Sequence, residues 1–200
     1  MCQINNIDCN VVEGYGKGKK WLVGSNFSSN HAWNTIKLND TVFYYDCTWG
    51  AGYTDDSCNR FTRNPTMDFY RVPDSLFHFS HLGKPQKSDT GFYNKFAVFK
   101  DYPLTSGGFF QNKIYSFYPM NGVIEVQKDS IILFKLFANG PLAIVSFRSD
   151  DVKHKINEVA EPKKGKNGIY FNYTADKLGF YYLIVYVNFI ASLVYKLRVM

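Results

Sequence analysis

Residues 31–46 carry the pattern that most constrains this chain. Ile36 and Leu38, then Val42, Phe43 and Tyr45, form two alternating β-enriched runs on either side of Asn39-Asp40. Branched and aromatic residues in alternation suit half-buried strands, and an Asn-Asp pair tolerates the backbone of a tight turn. The pattern predicts a β-hairpin, with His31 where the first strand begins and Asp46 where the second ends. Folding back at the turn brings imidazole and carboxylate within side-chain reach, although 46 − 31 = 15 positions separate them. Such a pair is the base half of a nucleophilic triad, because the carboxylate fixes the tautomer and stabilises the imidazolium. On spacing alone, a surface pair or a hydrogen-bonded core histidine is the commoner outcome.

The residues around the pair narrow the reading. Asn30-His31-Ala32-Trp33-Asn34 precedes the hairpin, and Tyr45-Asp46-Cys47-Thr48-Trp49-Gly50-Ala51-Gly52 follows it. Together they resemble the transglutaminase-like superfamily, and within it the kyphoscoliosis peptidase and hillarin branch. Ile7 to Gly18 is similar to the strand and glycine turn before that family's histidine. Asp68-Phe69-Tyr70, Pro73 and Ser80-His81-Leu82 are similar to its segment after the triad. The resemblance covers residues 1 to 87. It implies a cysteine peptidase or acyltransferase acting on protein amides, with His31 and Asp46 as catalytic residues. It also implies Trp33 and Trp49 as walls of the substrate cleft, although core aromatics fit these two equally well. No metal and no organic cofactor are implied.

The nucleophile is the departure from that pattern. Met1 to Ile7 would be the tail of a helix whose N-terminus carries the family's cysteine, upstream of the residues present. A helix N-terminus lowers a thiol's pKa and raises its thiolate fraction. Cys2 falls at the wrong end of that helix. Cys9 opens a β-type run as a core thiol. Cys47, read as strand, points away from Asp46, and Cys58 sits in a polar loop. The four cysteines show no CxxC spacing, so neither a zinc signature nor a disulfide framework is expected. The expectation is a chain N-terminally truncated relative to the family and inactive on its own. The competing expectation is a non-catalytic protein-interaction module.

Composition bears on partners and location. The chain has 200 residues, is 46% apolar and 18% aromatic, and carries a formal charge of +6, ample material for strand-based cores. Its lysines are scattered (17, 19, 20; 153, 155; 163, 164, 166), as on solvated loops, and nothing has the wording of a nucleic-acid module. The N-terminus lacks a basic-then-apolar leader, so a cytoplasmic location is expected. The expected partner is a protein, substrate or otherwise, and the cytoskeleton-associated members of the resembled group extend this to the cytoskeleton.

The fold expected is α+β. A partial transglutaminase-like (papain-like) antiparallel sheet domain spans 1–90, a linker 91–108, and an all-β immunoglobulin-like sandwich 109–200. The last assignment rests on short apolar runs at 117–126, 130–137, 142–148, 169–174, 179–187 and 192–199, separated by turn residues. His78 reads as an outward residue on a strand over 75–79, His81 as structural, and His154 as a charged-loop residue. Leu178 to Tyr195 is uncharged over eighteen residues, long enough for a membrane span. Its β-branched and aromatic content, with a turn near Asn188 to Ala191, favours a strand pair over an anchor.

Overall fold

A computed structural model describes residues 7–55, 57, 59–86, 89–149, 157–165 and 168–200. Strands dominate, at 49% against 15% helix. The chain divides into two compact units, the first of residues 1–16 and 27–90 and the second of 17–26 and 91–200.

The first unit contains, in order, β1 (Cys9–Gly16), β2 (His31–Leu38), β3 (Thr41–Tyr45), α1 (Cys47–Ala51), β4 (Gly52–Thr54), β5 (Phe61–Arg63), β6 (Val72–Pro73), α2 (Asp74–Phe77) and β7 (His81–Gly83). Its main sheet runs β6-β3-β2-β1-β7. The hairpin read from sequence is β2–β3, pairing Leu38 with Thr41 and Asn34 with Tyr45. Asn39 and Asp40 turn it with φ of 47° and 63°, the left-handed pair a two-residue hairpin needs. β1 then lies between β2 and β7, pairing Gly14 with His31 and Gly16 with His81. The expected strand over 75–79 is instead α2. Pro73 cannot donate within a ladder and leads into the helix, Asp74 favours its first turn, and the His78 ring Nδ1 lies 2.9 Å from the Asp74 carbonyl.

The second unit contains a 3-10 turn (Lys20–Leu22), α3 (Phe92–Asp101), β8 (Leu104–Thr105), α4 (Gly107–Gln111), β9 (Ile114–Tyr118), β10 (Val123–Val126), β11 (Ser130–Ala138), β12 (Val145–Ser149), β13 (Asn157–Ala160), β14 (Lys163–Lys164), β15 (Gly168–Ala175), β16 (Gly179–Val187) and β17 (Ile190–Val199). One sheet runs β10-β17-β16-β12-β13, with β8 also on β17, and the other β14-β15-β11-β9. They pack face to face through aromatic rings. Phe134 of β11 meets Phe147 of β12 at 5.5 Å and Tyr195 of β17 at 5.2 Å, and Phe147 meets Phe171 of β15 at 5.6 Å. These four are buried, as are Leu183, Val185 and Leu197, and each contributes roughly 1.5–3 kcal/mol through burial.

Two sequence expectations change here, and a third holds. The stretch 91–108, expected as a linker, holds α3, β8 and the start of α4 and belongs to the second unit. Buried Phe92, Phe99 and Leu104 give it a face to pack. The apolar run 117–126 is two strands, because Pro119 has no N–H for a ladder, and β10 pairs with β17 in parallel. Leu178 to Tyr195 falls within the β16–β17 hairpin, turned by Asn188 and Phe189 at φ 50° and 69°. Among the described residues, no helix is long and apolar enough to cross a membrane. His154 lies outside the described residues.

Lys17 caps the C-terminal end of α3. Its fully buried ammonium donates to the carbonyls of Phe99 (2.7 Å) and Tyr102 (2.6 Å). These are the acceptors a helix C-terminus leaves open, at the negative end of its dipole. Burial pushes this group from 10.5 down to about 7, opposed by the nearby Asp101 carboxylate. Between those values the unfolded chain binds a proton that the folded chain does not, so stability rises with pH across this window. The denaturation midpoint of the second unit is therefore expected to climb from about pH 7 to 9.5, and Lys17→Met to flatten that rise; an unchanged slope would contradict the assignment.

Candidate functional site

Two local features aim the site. Gly14 and Gly16 lie on one face of β1, opposite His31 and His81 respectively. Directly paired residues project to the same face, so two imidazoles flank β1 with no β1 side chain between them. That vacancy is required. A Cβ on Gly16 would sit 3.0–3.1 Å from His31, and one on Gly14 would lie 2.2 Å from the Leu82 carbonyl and 2.6 Å from Trp33. The glycines, expected as a turn, are strand residues kept bare beneath the site.

Asp46 is the second feature. It ends β3 and caps α1, its Oδ1 accepting the backbone N–H groups of Thr48 and Trp49 at 3.0 Å each. Its Oδ2 faces His31 Nε2 at 2.6 Å and His81 Nε2 at 3.1 Å. Four N–H donors thus fill the carboxylate's four acceptor positions. The side chain is fully buried. Burial pushes the Asp46 carboxyl up, but hydrogen bonds from His31, His81 and Trp49, with the His31 charge, outweigh this and hold it well below the usual carboxylate range. The group is a buried anion at neutral pH.

The aromatics fix ring orientation. Trp49, half-buried on α1, stacks on His31 at 4.9 Å and 25°. Phe77 stacks on His81 at 3.9 Å and 11°, and Tyr44 stacks on Phe77 at 4.6 Å. Trp33 is buried edge-on to His81 at 4.9 Å, and its indole N–H has no hydrogen-bond partner among the described residues. Of the two tryptophans expected as cleft walls, Trp33 is thus core and Trp49 is the one partly open to solvent.

The expected pair His31 and Asp46 is brought together on one side of the sheet. His31 is slightly open, its side chain 12% exposed. Because Nε2 engages Asp46, Nδ1 is the nitrogen left for proton exchange, and among the described residues nothing hydrogen-bonds to it. Neither described thiol meets it. Cys9 pairs with Ile36, five residues along β2 from His31, about 17 Å away at strand spacing. Cys47 opens α1, where the sequence had continued the strand, because Asp46 caps a helical turn there; its thiol is exposed. Cys2 and Cys58 lie outside the described residues. Sequence reasoning missed the part His81 plays, as a second donor on Asp46. The available signal was Ser80-His81 in a resembling segment, but nothing local placed it beside Asp46.

His31, Asp46 and His81 also present three ligand atoms within 4.8 Å of one another. Separations of 2.6 and 3.1 Å are those of hydrogen bonds, shorter than the ~3.3 Å edge that zinc–nitrogen bonds impose on a tetrahedron. The donor set fits a shared carboxylate better than a metal shell.

No protein-family model matches the chain. It is 26% identical over 180 residues to kyphoscoliosis peptidase of Mus musculus, covering 78% of this chain and 26% of that protein. It is 32% identical over 84 residues to kyphoscoliosis peptidase of Homo sapiens, covering 41% of this chain and 13% of that protein. These relatives support the kyphoscoliosis peptidase-like branch. The matched region spans about a quarter of the mouse protein's length.

Acid should loosen this site. Burial, against the pull of Asp46, lowers His81 from 6.5, so its contribution is full above that value and is lost as pH falls below it; that of Asp46, lowered from 3.8, is lost further down. The urea midpoint of the first unit, read by Trp33 and Trp49 fluorescence, is expected to fall from about pH 6.5 downward, in the window of a histidine with a lowered pKa. Replacing His81 with Phe is expected to remove the upper part of that fall. A midpoint constant from pH 7 to 5 would contradict this.

Proposed function

We propose that the first unit is the histidine–aspartate half of a transglutaminase-like thiol amidase or acyltransferase acting on protein amides. The observation that carries the reading is the 2.6 Å contact between His31 Nε2 and a buried, fully hydrogen-bonded Asp46 carboxylate, with Nδ1 left open. A cysteine other than Cys9 or Cys47 would stand at Nδ1. His31 would take its proton there, the thiolate would attack an amide carbonyl, and the imidazolium would return the proton to the leaving amine. Asp46 holds the tautomer and offsets the charge formed on the ring. Trp49, stacked on His31, shields one ring face from water.

The relatives' name, kyphoscoliosis peptidase, agrees with amide chemistry. In this reading the second unit is an immunoglobulin-like module that holds a protein partner, cytoskeletal partners included, in the cytoplasm. One observation favours a non-catalytic interaction protein instead: neither described thiol meets His31.

The polypeptide expressed from its full reading frame decides between them. With a peptide amide or an amine-incorporation substrate, His31→Ala is expected to lower kcat/KM by about 10³- to 10⁴-fold, and Asp46→Ala by a comparable factor. Turnover indifferent to His31→Ala would contradict the enzyme reading. No turnover at all, with a partner protein retained, would favour the interaction module.

A further inference from the structure

The proposed chemistry uses one of the two imidazoles on Asp46 and leaves the other unexplained. His81 has no exposed side-chain surface, so it cannot touch a substrate from this position. Its effects must pass through the carboxylate it shares.

The geometry fixes the state of His81. A carboxylate oxygen only accepts, so His81 Nε2, 3.1 Å from Asp46 Oδ2, must carry its proton. In the neutral ring Nδ1 is then an acceptor, and the buried Ser80 hydroxyl lies 2.8 Å from it, able to donate. The same hydroxyl stands 3.3 Å from the Phe77 carbonyl, its longer alternative. The Phe77 ring, parallel to His81 at 3.9 Å, sets the plane. Burial, opposed by Asp46, also holds His81 toward the neutral form.

Both imidazoles bond the same oxygen. When His31 becomes an imidazolium, attraction to Oδ2 is what retains the extra proton. A second N–H on that oxygen draws off part of its negative charge and weakens the attraction. The titratable groups that face His31 among the described residues are Asp46 at the β3–α1 junction and His81 on β7. β1 places Gly14 and Gly16 beside the two imidazoles and the apolar Val12 further along the same face, and α1 presents Trp49.

We propose that His81 is a positioning residue: it locks the Asp46 carboxylate and, by sharing Oδ2, weakens that oxygen's hold on the proton His31 takes up. This rests on the reading of His31 as the base. It adds that the acid–base poise of the site is set by a third, buried side chain, held in one tautomer by Ser80.

Side-chain nitrogen and carbon NMR of the whole chain tests it without requiring turnover. In the wild type, His81 should show the Nε2–H tautomer throughout the titration of His31; an Nδ1–H tautomer would overturn the proposal. In His81→Phe, the His31 midpoint should rise by about 0.5 to 1 pH unit, a ~3- to 10-fold gain in proton affinity. His81→Gln, which can still donate, should stay near the wild type. A midpoint unchanged in His81→Phe would overturn the proposal. If that variant does not fold, Ser80→Ala replaces it; mixed His81 tautomers with a raised His31 midpoint are expected, and an unchanged midpoint is the contrary result. Should activity depend on His31 while its midpoint ignores His81, only this inference fails. Should the midpoint follow His81 while activity ignores His31, only the enzyme reading fails.

Discussion

The first unit is organised around one buried negative charge. An isolated carboxylate taken out of water is expensive, and it survives only when hydrogen-bonded on all sides. Asp46 meets that demand with four donors from three places: two N–H groups of the helical turn it caps, one imidazole from β2 and one from β7. The bonds that make the charge tolerable are the ones that aim His31. Cap, sheet and candidate base are therefore one interaction seen from different sides.

The glycines of β1 make this possible. β2 and β7 stand on either side of β1, about 4.8 Å from it each, and their imidazoles converge above it with centroids 5.4 Å apart. Any side chain at 14 or 16 would enter that space. The second unit solves a comparable problem differently. Its buried amine, Lys17, is held by two carbonyls at the end of α3 and by the faces of Phe99 and Tyr102. In both units a buried ionisable group marks the place where distant segments must meet.

What could be read from sequence follows from range. The β2–β3 hairpin was legible because its turn and alternation are local, and the meeting of His31 and Asp46 followed from it. So did the β16–β17 pair, whose turn at Asn188 lies between two β-rich runs. The helix at 74–77 was missed because Ser75 to Phe79 alternates like a strand, and Pro73 at the helix start with Asp74 in its first turn outweighed the alternation. His81 was read as structural without its partner, since its link to Asp46 depends on β1 pairing with β7, which no local pattern encodes. Lys17 looked like one of several loop lysines for the same reason: its acceptors lie more than eighty residues away.

The filled carboxylate is tested most directly by replacing Asp46 with Asn and measuring first-unit stability against urea at pH 7.5. Asparagine keeps one acceptor oxygen but turns an NH₂ toward N–H donors, leaving buried groups unpaired. A loss of about 3 kcal/mol is expected, the scale for breaking a buried, charged hydrogen-bond network, together with loss of the His31 contact. A variant within about 0.5 kcal/mol of the wild type, the spread of an ordinary surface substitution, would show that the unit does not depend on this charge.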